Sequence, residues 1–188
     1  FILLMTTILQ IQLCREVGTE IAWKYAEKFD LPRIVVINKM NRENADFKKA
    51  FASIADYTER RLIQVQIPWG EKLDFHGVID ILTMKAYDGA KNEVVDIPAE
   101  YQAEAQELRA ALTEAAAEGE EALMEKFFET MELSDEEISR GFAKAVKAGS
   151  FIPVYCAASG LEIGIPSILD AFVNFMPNPA EGKRVIAK

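Results

Sequence analysis

The 188-residue sequence predicts an α/β fold: a parallel sheet flanked by helices and interrupted by an α+β insertion. Three observations point there. Arg33-Ile34-Val35-Val36-Ile37 ends in four consecutive β-branched residues, the pattern of a parallel strand covered on both faces. Strand-loop-helix units stand on both sides of the chain's middle, at residues 33–61 and 151–176. Between them the pattern changes to short alternating strands, then to Ala- and Glu-rich helices.

In chain order, residues 2–13 read as a buried strand. Their 13-residue span falls short of the roughly 20 apolar residues a membrane helix needs, and no basic segment precedes them as in a signal peptide. Gly18-Thr19-Glu20 opens a helix capped by Thr19, with Ile21, Ala22, Tyr25, Ala26 and Phe29 as its apolar face and Pro32 beyond its end. The strand 33–37 follows, then the loop Asn38-Lys39-Met40-Asn41 and a helix over 46–61. Residues 62–68, 75–82, 84–87 and 93–97 read as strands, with Asp88-Gly89 as a turn. Helices are expected over 98–118 and 120–131, broken at Gly119. Ser134-Asp135-Glu136-Glu137 is a capping box opening a helix that Gly149 closes. Residues 151–157 form the last strand, Ala158-Ser159-Gly160 its loop, and 166–176 an amphipathic helix that ends at Pro177-Asn178-Pro179. The expected organisation is residues 1–61 with 150–180 as one domain, 62–149 as the insertion and 181–188 as an exit linker.

Half the residues are hydrophobic, enough for a sizeable core. The net charge of -9 disfavours contact with a phosphate backbone, so direct DNA binding is not expected. Cys14 and Cys156 suit a reducing cytoplasm better than a disulfide framework, and with His76 the single histidine a zinc site is not expected. Trp23 and Trp69 read as packing residues, His76 as a strand-surface residue, and Ile138, Phe142, Ala145 and Val146 as a helix face packed on the insertion's own sheet.

Ligands of open α/β sheets sit at the carboxyl ends of parallel strands, where both loops fall. A buried strand followed by Asn-Lys-x-Asp is how GTP-binding proteins hold guanine; here the fourth residue is Asn41. Thr19, Trp23, Ala26, Pro32-Arg33, Asn38-Lys39-Met40, Arg42 and Ala45-Asp46-Phe47 resemble the elongation factor G family in order and spacing. Pro153-Val154-Tyr155-Cys156, Gly164, Leu169-Asp170-Ala171 and Pro177-Asn178-Pro179 are similar to that family's last strand, helix and domain exit. Pro68, Gly77-Val78-Ile79-Asp80, Leu123-Met124-Glu125-Lys126-Phe127 and Leu133 resemble its extra subdomain. The resemblance covers residues 17–188 and implies a partial three-layer P-loop-type GTPase domain, the amino-terminal half absent, with an inserted subdomain.

The resemblance further implies GTP or GDP as ligand, with Asn38 and Lys39 ordering the loop and packing against the base and Asn41 in the place of the guanine-reading Asp. Ala158 and Ser159 stand where the family has Ser-Ala, whose backbone N–H meets guanine O6. A carboxylate accepts from both guanine N1–H and the exocyclic amine; the Asn41 amide offers one acceptor and one donor, and suits xanthine better. The ribosome, its stalk protein (through the insertion) and a cytoplasmic location are implied with it, and no membrane partner. No Gly-x-x-x-x-Gly-Lys-Ser/Thr occurs in the chain. The resemblance places that phosphate loop, the switches and the magnesium site upstream of residue 1. GTP hydrolysis by this chain alone is therefore not expected. Alternatives are a degenerate non-enzymatic paralogue that binds the ribosome or its stalk, and related factors such as release factor 3 or ribosomal protection proteins. Residues 1–13 are expected either to take the family's strand or to swap into a second copy.

Overall fold

The computed structural model describes residues 5–6, 17–56 and 58–177. Of the strand expected over 2–13, only β1 (Met5–Thr6) is described. The rest of that strand, Cys14, Asn178, Pro179 and the 181–188 linker lie outside the described residues.

The chain continues as α1 (Val17–Lys28), β2 (Val35–Ile37), α2 (Phe47–Ala55), β3 (Arg61–Gln64) and β4 (Gln66–Trp69). Then come β5 (Gly77–Asp80), β6 (Lys85–Asp88) and β7 (Glu93–Val95). Three helices follow: α3 (Gln102–Ala117), α4 (Glu121–Thr130) and α5 (Asp135–Ala148). The unit β8 (Phe151–Cys156) and α6 (Ile165–Phe175) completes the described chain. Strands β1-β2-β8-β3 form a parallel sheet, and β4-β5-β6-β7 an antiparallel one.

The parallel sheet is apolar on both faces because both are covered. Val35, Ile37, Ile152, Val154 and Cys156 pack with Trp23, Phe47, Ala50 and Ile54 of α1 and α2. Ile34, Val36, Phe151 and Tyr155 face the other way, onto Ile168, Ala171 and Phe175 of α6 and Phe142, Ala145 and Val146 of α5. Alternate residues of each strand thus enter opposite layers. The second core is continuous with the antiparallel sheet, through Ile67, Ile79, Ile81 and Ala86. Ile138, Phe142, Ala145 and Val146 are buried in it, as their helical spacing implies. The face expected to pack on the insertion's own sheet meets β8 and α6 instead: the Phe142 ring centroid lies 5.1 Å from that of Phe151 and 5.0 Å from that of Phe175.

Other expectations change as well. Helix α1 begins at Val17, so Thr19 lies within its first turn and does not cap it. Its buried side is Trp23 and Ala26; Ile21, Tyr25 and Phe29 are exposed. Trp23 is drawn inward by the buried Arg33, whose guanidinium lies 4.9 Å from the ring centroid, while Trp23 Nε1 donates to Glu27 at 3.0 Å. Burial, with the nearby Arg60 charge second, lowers the pKa of Arg33.

A further change concerns β3. The helix expected over 46–61 ends at Ala55, and Arg61 opens β3. Leu62, Ile63 and Gln64 fall in the segment assigned to the insertion, yet β3 pairs in parallel with β8, from Arg61 with Phe151 to Gln64 with Val154. One apolar run therefore serves two sheets, changing from one to the other at Val65. The capping box at Ser134 forms in full: Glu137 N–H donates to Ser134 Oγ at 3.3 Å and Ser134 N–H to Glu137 at 2.8 Å. Among the described residues, no helix is long and apolar enough to cross a membrane.

Candidate functional site

Strands β2 and β8 are neighbours in register, with Ile37 beside Cys156. Both leave the sheet at the same level, so the two loops singled out by sequence start side by side. The ladder carries on into them: Ala157 N–H donates to Ile37 O at 2.9 Å, and Met40 N–H to Ala157 O at 3.1 Å.

Asn38 ties the loops together. Its Oδ1 accepts from Lys39 N–H at 2.7 Å and from Ser159 N–H at 3.0 Å, and its Nδ2 donates to Ser159 Oγ at 2.8 Å. An amide carries both the acceptor and the donor this arrangement uses. Lys39 adopts φ +62°, a left-handed conformation unusual for a residue with a Cβ. Such geometry persists where the surroundings enforce it, and here the Asn38 bond to Lys39 N–H does so.

The rest of the first loop is anchored from below. Met40 and Ala45 are buried, Arg42 N–H donates to Lys39 O at 3.1 Å, and Ala45 N–H to Arg42 O at 2.9 Å. Asp46 caps α2 by accepting from Lys49 N–H at 3.0 Å, and that bond holds its carboxyl below the usual range. Asn41 is half-buried in the turn, and its side chain makes no hydrogen bond among the described residues. From residue 38 to 49 the chain carries Lys39, Arg42, Lys48 and Lys49 against Glu43 and Asp46, a local positive balance in an acidic chain.

The second loop separates Ala158 from Ser159. Ala158 is fully buried and its N–H donates to Ile163 O at 3.1 Å; Ser159 is exposed and faces Asn38. The loop returns to the sheet at Gly164, at φ +76°. A Cβ there would lie 2.6 Å from Cys156 O, so glycine lets the loop close on the strand end.

Sequence reasoning did not single out Gln66 or Ser159's tie to Asn38. Gln66 is fully buried, and its Oε1 accepts from Cys156 N–H at 3.2 Å. One polar residue inside the apolar run 62–68 was the available signal. Burial, with the charge of nearby Asp80 second, pushes the Cys156 thiol far above its ordinary range; Cys156 is thus an inert core residue.

The arrangement offers a partly exposed platform at the carboxyl ends of two parallel strands, with Asn38 bonded to both loops, Lys39 in a left-handed turn and the Asn41 amide without a hydrogen bond among the described residues. The set can hydrogen-bond the edge of a planar heterocycle.

The family model described as elongation factor Tu GTP binding domain matches residues 7–178. A crystal structure of a protein from Thermus thermophilus is similar at 30% identity and a TM-score of 0.78. The match covers 88% of this chain and 25% of that one, so the chain spans about a quarter of that protein's length.

Proposed function

Because the chain belongs to the elongation factor Tu GTP-binding domain family of translational GTPases, we propose that it supplies the base-binding side of a guanine-nucleotide site. The observation that carries this reading is the Asn38 clasp, which orders the loop after β2 and joins it to the loop after β8. Asn38 holds the two loops at a set spacing, Lys39 packs on the base, and Asn41 meets its Watson–Crick edge. Ser159 flanks the base, and buried Ala158 sets the loop's floor. Phosphoryl transfer belongs to a longer protein of the elongation factor G type, whose phosphate loop and magnesium site lie outside this sequence. There a bound nucleotide would supply the phosphate chemistry, and the residues here would orient its base.

The same reading makes 62–149, less the β3 segment, an inserted subdomain that contacts the ribosome or its stalk protein in the cytoplasm. The apolar side of α5 is buried. One face open to a partner is α4 and its C-terminal end, where Phe128 and Met131 are exposed among Glu121, Glu125, Glu129 and Glu132.

A second reading, a non-enzymatic paralogue that keeps only ribosome contacts, is favoured by Asn41 and the Ala158-Ser159 order. Competition separates the two. Fluorescent GDP bound to the chain is expected to be displaced by GDP and not by ADP, and Asn38→Ala to abolish the preference. Equal displacement by both, or no binding alongside co-sedimentation with ribosomes, supports the second reading.

A further inference from the structure

The junction between the two sheets lies beside the strand end that carries loop 157–160. Val65 N–H donates to Val154 O at 3.0 Å, a parallel-ladder bond between the β3 segment and β8. The next bond of a regular parallel ladder would run from Cys156 N–H back to Val65 O. Val65 O is instead turned to the antiparallel sheet, where it accepts from Ile81 N–H at 2.9 Å. The chain changes sheets at this residue, and Cys156 N–H loses its backbone partner.

Gln66 fills the place. Its Oε1 accepts from Cys156 N–H at 3.2 Å, extending the ladder by one bond with a side chain. Gln66 is also the register partner of Asp80 on β5. Asp80 is buried and is held by Thr83 N–H at 2.9 Å and Thr83 Oγ1 at 3.2 Å. Gln66 Nε2 favours the Asp80 carboxylate without reaching hydrogen-bond geometry, and Tyr155 OH lies unpartnered in the same core. An unpaired buried donor is retained at a cost, and a Met or Leu would fill the space without one. What the amide gains is the Cys156 bond.

We infer that Gln66 is a positioning residue: its side-chain carbonyl holds the end of β8, and so fixes where Ala157 and Ser159 meet the Asn38 loop. Cys156 is one residue from Ala157, whose carbonyl accepts from Met40 N–H, and three from Ser159, which Asn38 clasps. A shift at Cys156 therefore reaches both loops. This bond links the antiparallel sheet, through the Asp80–Gln66 pair, to the candidate base site, beside the apolar packing of Val78 with Ala158 and Ile163. Its relevance to nucleotide rests on the function proposed above; the coupling itself does not.

The test is hydrogen exchange on the chain carrying Gln66→Met, which keeps the volume and removes the acceptor. The expected result is about tenfold faster exchange confined to residues 156–160 and the Asn38 loop, with α5 and α6 unchanged. Unchanged exchange at 156–160 overturns the inference. So does a uniform rise across β8, α5 and α6, which would mark Gln66 as a general packing residue. Should the Met variant not fold, the unsubstituted chain decides: Cys156 N–H as protected as Val154 N–H supports the inference, and an unprotected Cys156 N–H overturns it. Binding of GDP to the unsubstituted chain, measured in parallel, reports on the base-site reading alone. Selective loosening without any GDP binding leaves the positioning role intact and removes the nucleotide.

Discussion

At the scale of single residues, Asn38 and Asn41 divide the work of the candidate site. Asn38 is engaged on all sides, whereas the Asn41 amide is free to meet a ligand. Asn38→Ala removes the bonds that order and join the loops and is expected to weaken GDP binding by about tenfold or more. A variant binding within about twofold of the parent would show that the clasp is not what holds the site. If Asn41 meets the base edge as proposed, Asn41→Asp puts an acceptor-only group opposite the two guanine donors. A recovered charge-assisted bond and a relieved donor clash amount to about 1–3 kcal/mol, or roughly fivefold to more than a hundredfold tighter GDP. Calorimetry showing the same GDP affinity in both forms would remove Asn41 from the base edge.

At the scale of elements, α5 and its contact with α3 give two expectations. The Glu137 carboxyl is held down to about 2 from 4.5, first by Lys126 and then by Ser134 N–H. A depressed carboxylate stabilises the fold above its unfolded pKa and loses that contribution as pH falls through the folded one. Protection of the first turn of α5 should therefore hold above pH 4.5 and decline toward pH 2. Ser134→Ala, which removes the cap but keeps the Ser134 N–H, should lower stability by about 1 kcal/mol, whereas Lys126→Met should blunt that decline. A decline equally steep in the Lys126 variant would place its origin elsewhere. Gly141 is where α5 approaches α3 closely: a Cβ there would lie 2.3 Å from Ala116 O and 2.8 Å from Leu123 Cδ1. Gly141→Ala should destabilise by about 1–3 kcal/mol in denaturant melts. These elements show what the sequence made legible. The capping box, the β-branched β2 and the two strand-loop-helix units could be read because local chemistry determines them. The division of 61–69 between two sheets could not, since an apolar run looks alike in either sheet and the choice is made by Val65 O. The buried side of α1 was also out of reach. Ile21, Tyr25 and Phe29 have the right spacing, but Arg33, distant from the helix face in sequence, decides that Trp23 turns inward. In the site itself, Asn38 was legible from its motif; its bond to Ser159, 121 residues away, required the fold.

For the whole molecule, the core beneath α5 and α6 runs unbroken into the antiparallel sheet. The inserted subdomain and the parallel sheet are thus expected to unfold together. Trp23 reports on one and Trp69 on the other, so single-tryptophan variants should give coincident thermal transitions. Two separated transitions would make the subdomain an independent unit. Loops 38–41 and 157–160 are proposed to form one base-binding surface. Nuclear magnetic resonance titration of the labelled chain with GDP, and with ADP as control, tests it most directly. GDP, and not ADP, is expected to shift the amides of Asn38, Lys39, Asn41 and Ser159 together along one binding curve. Shifts confined to other residues, or the same shifts with ADP, would contradict it.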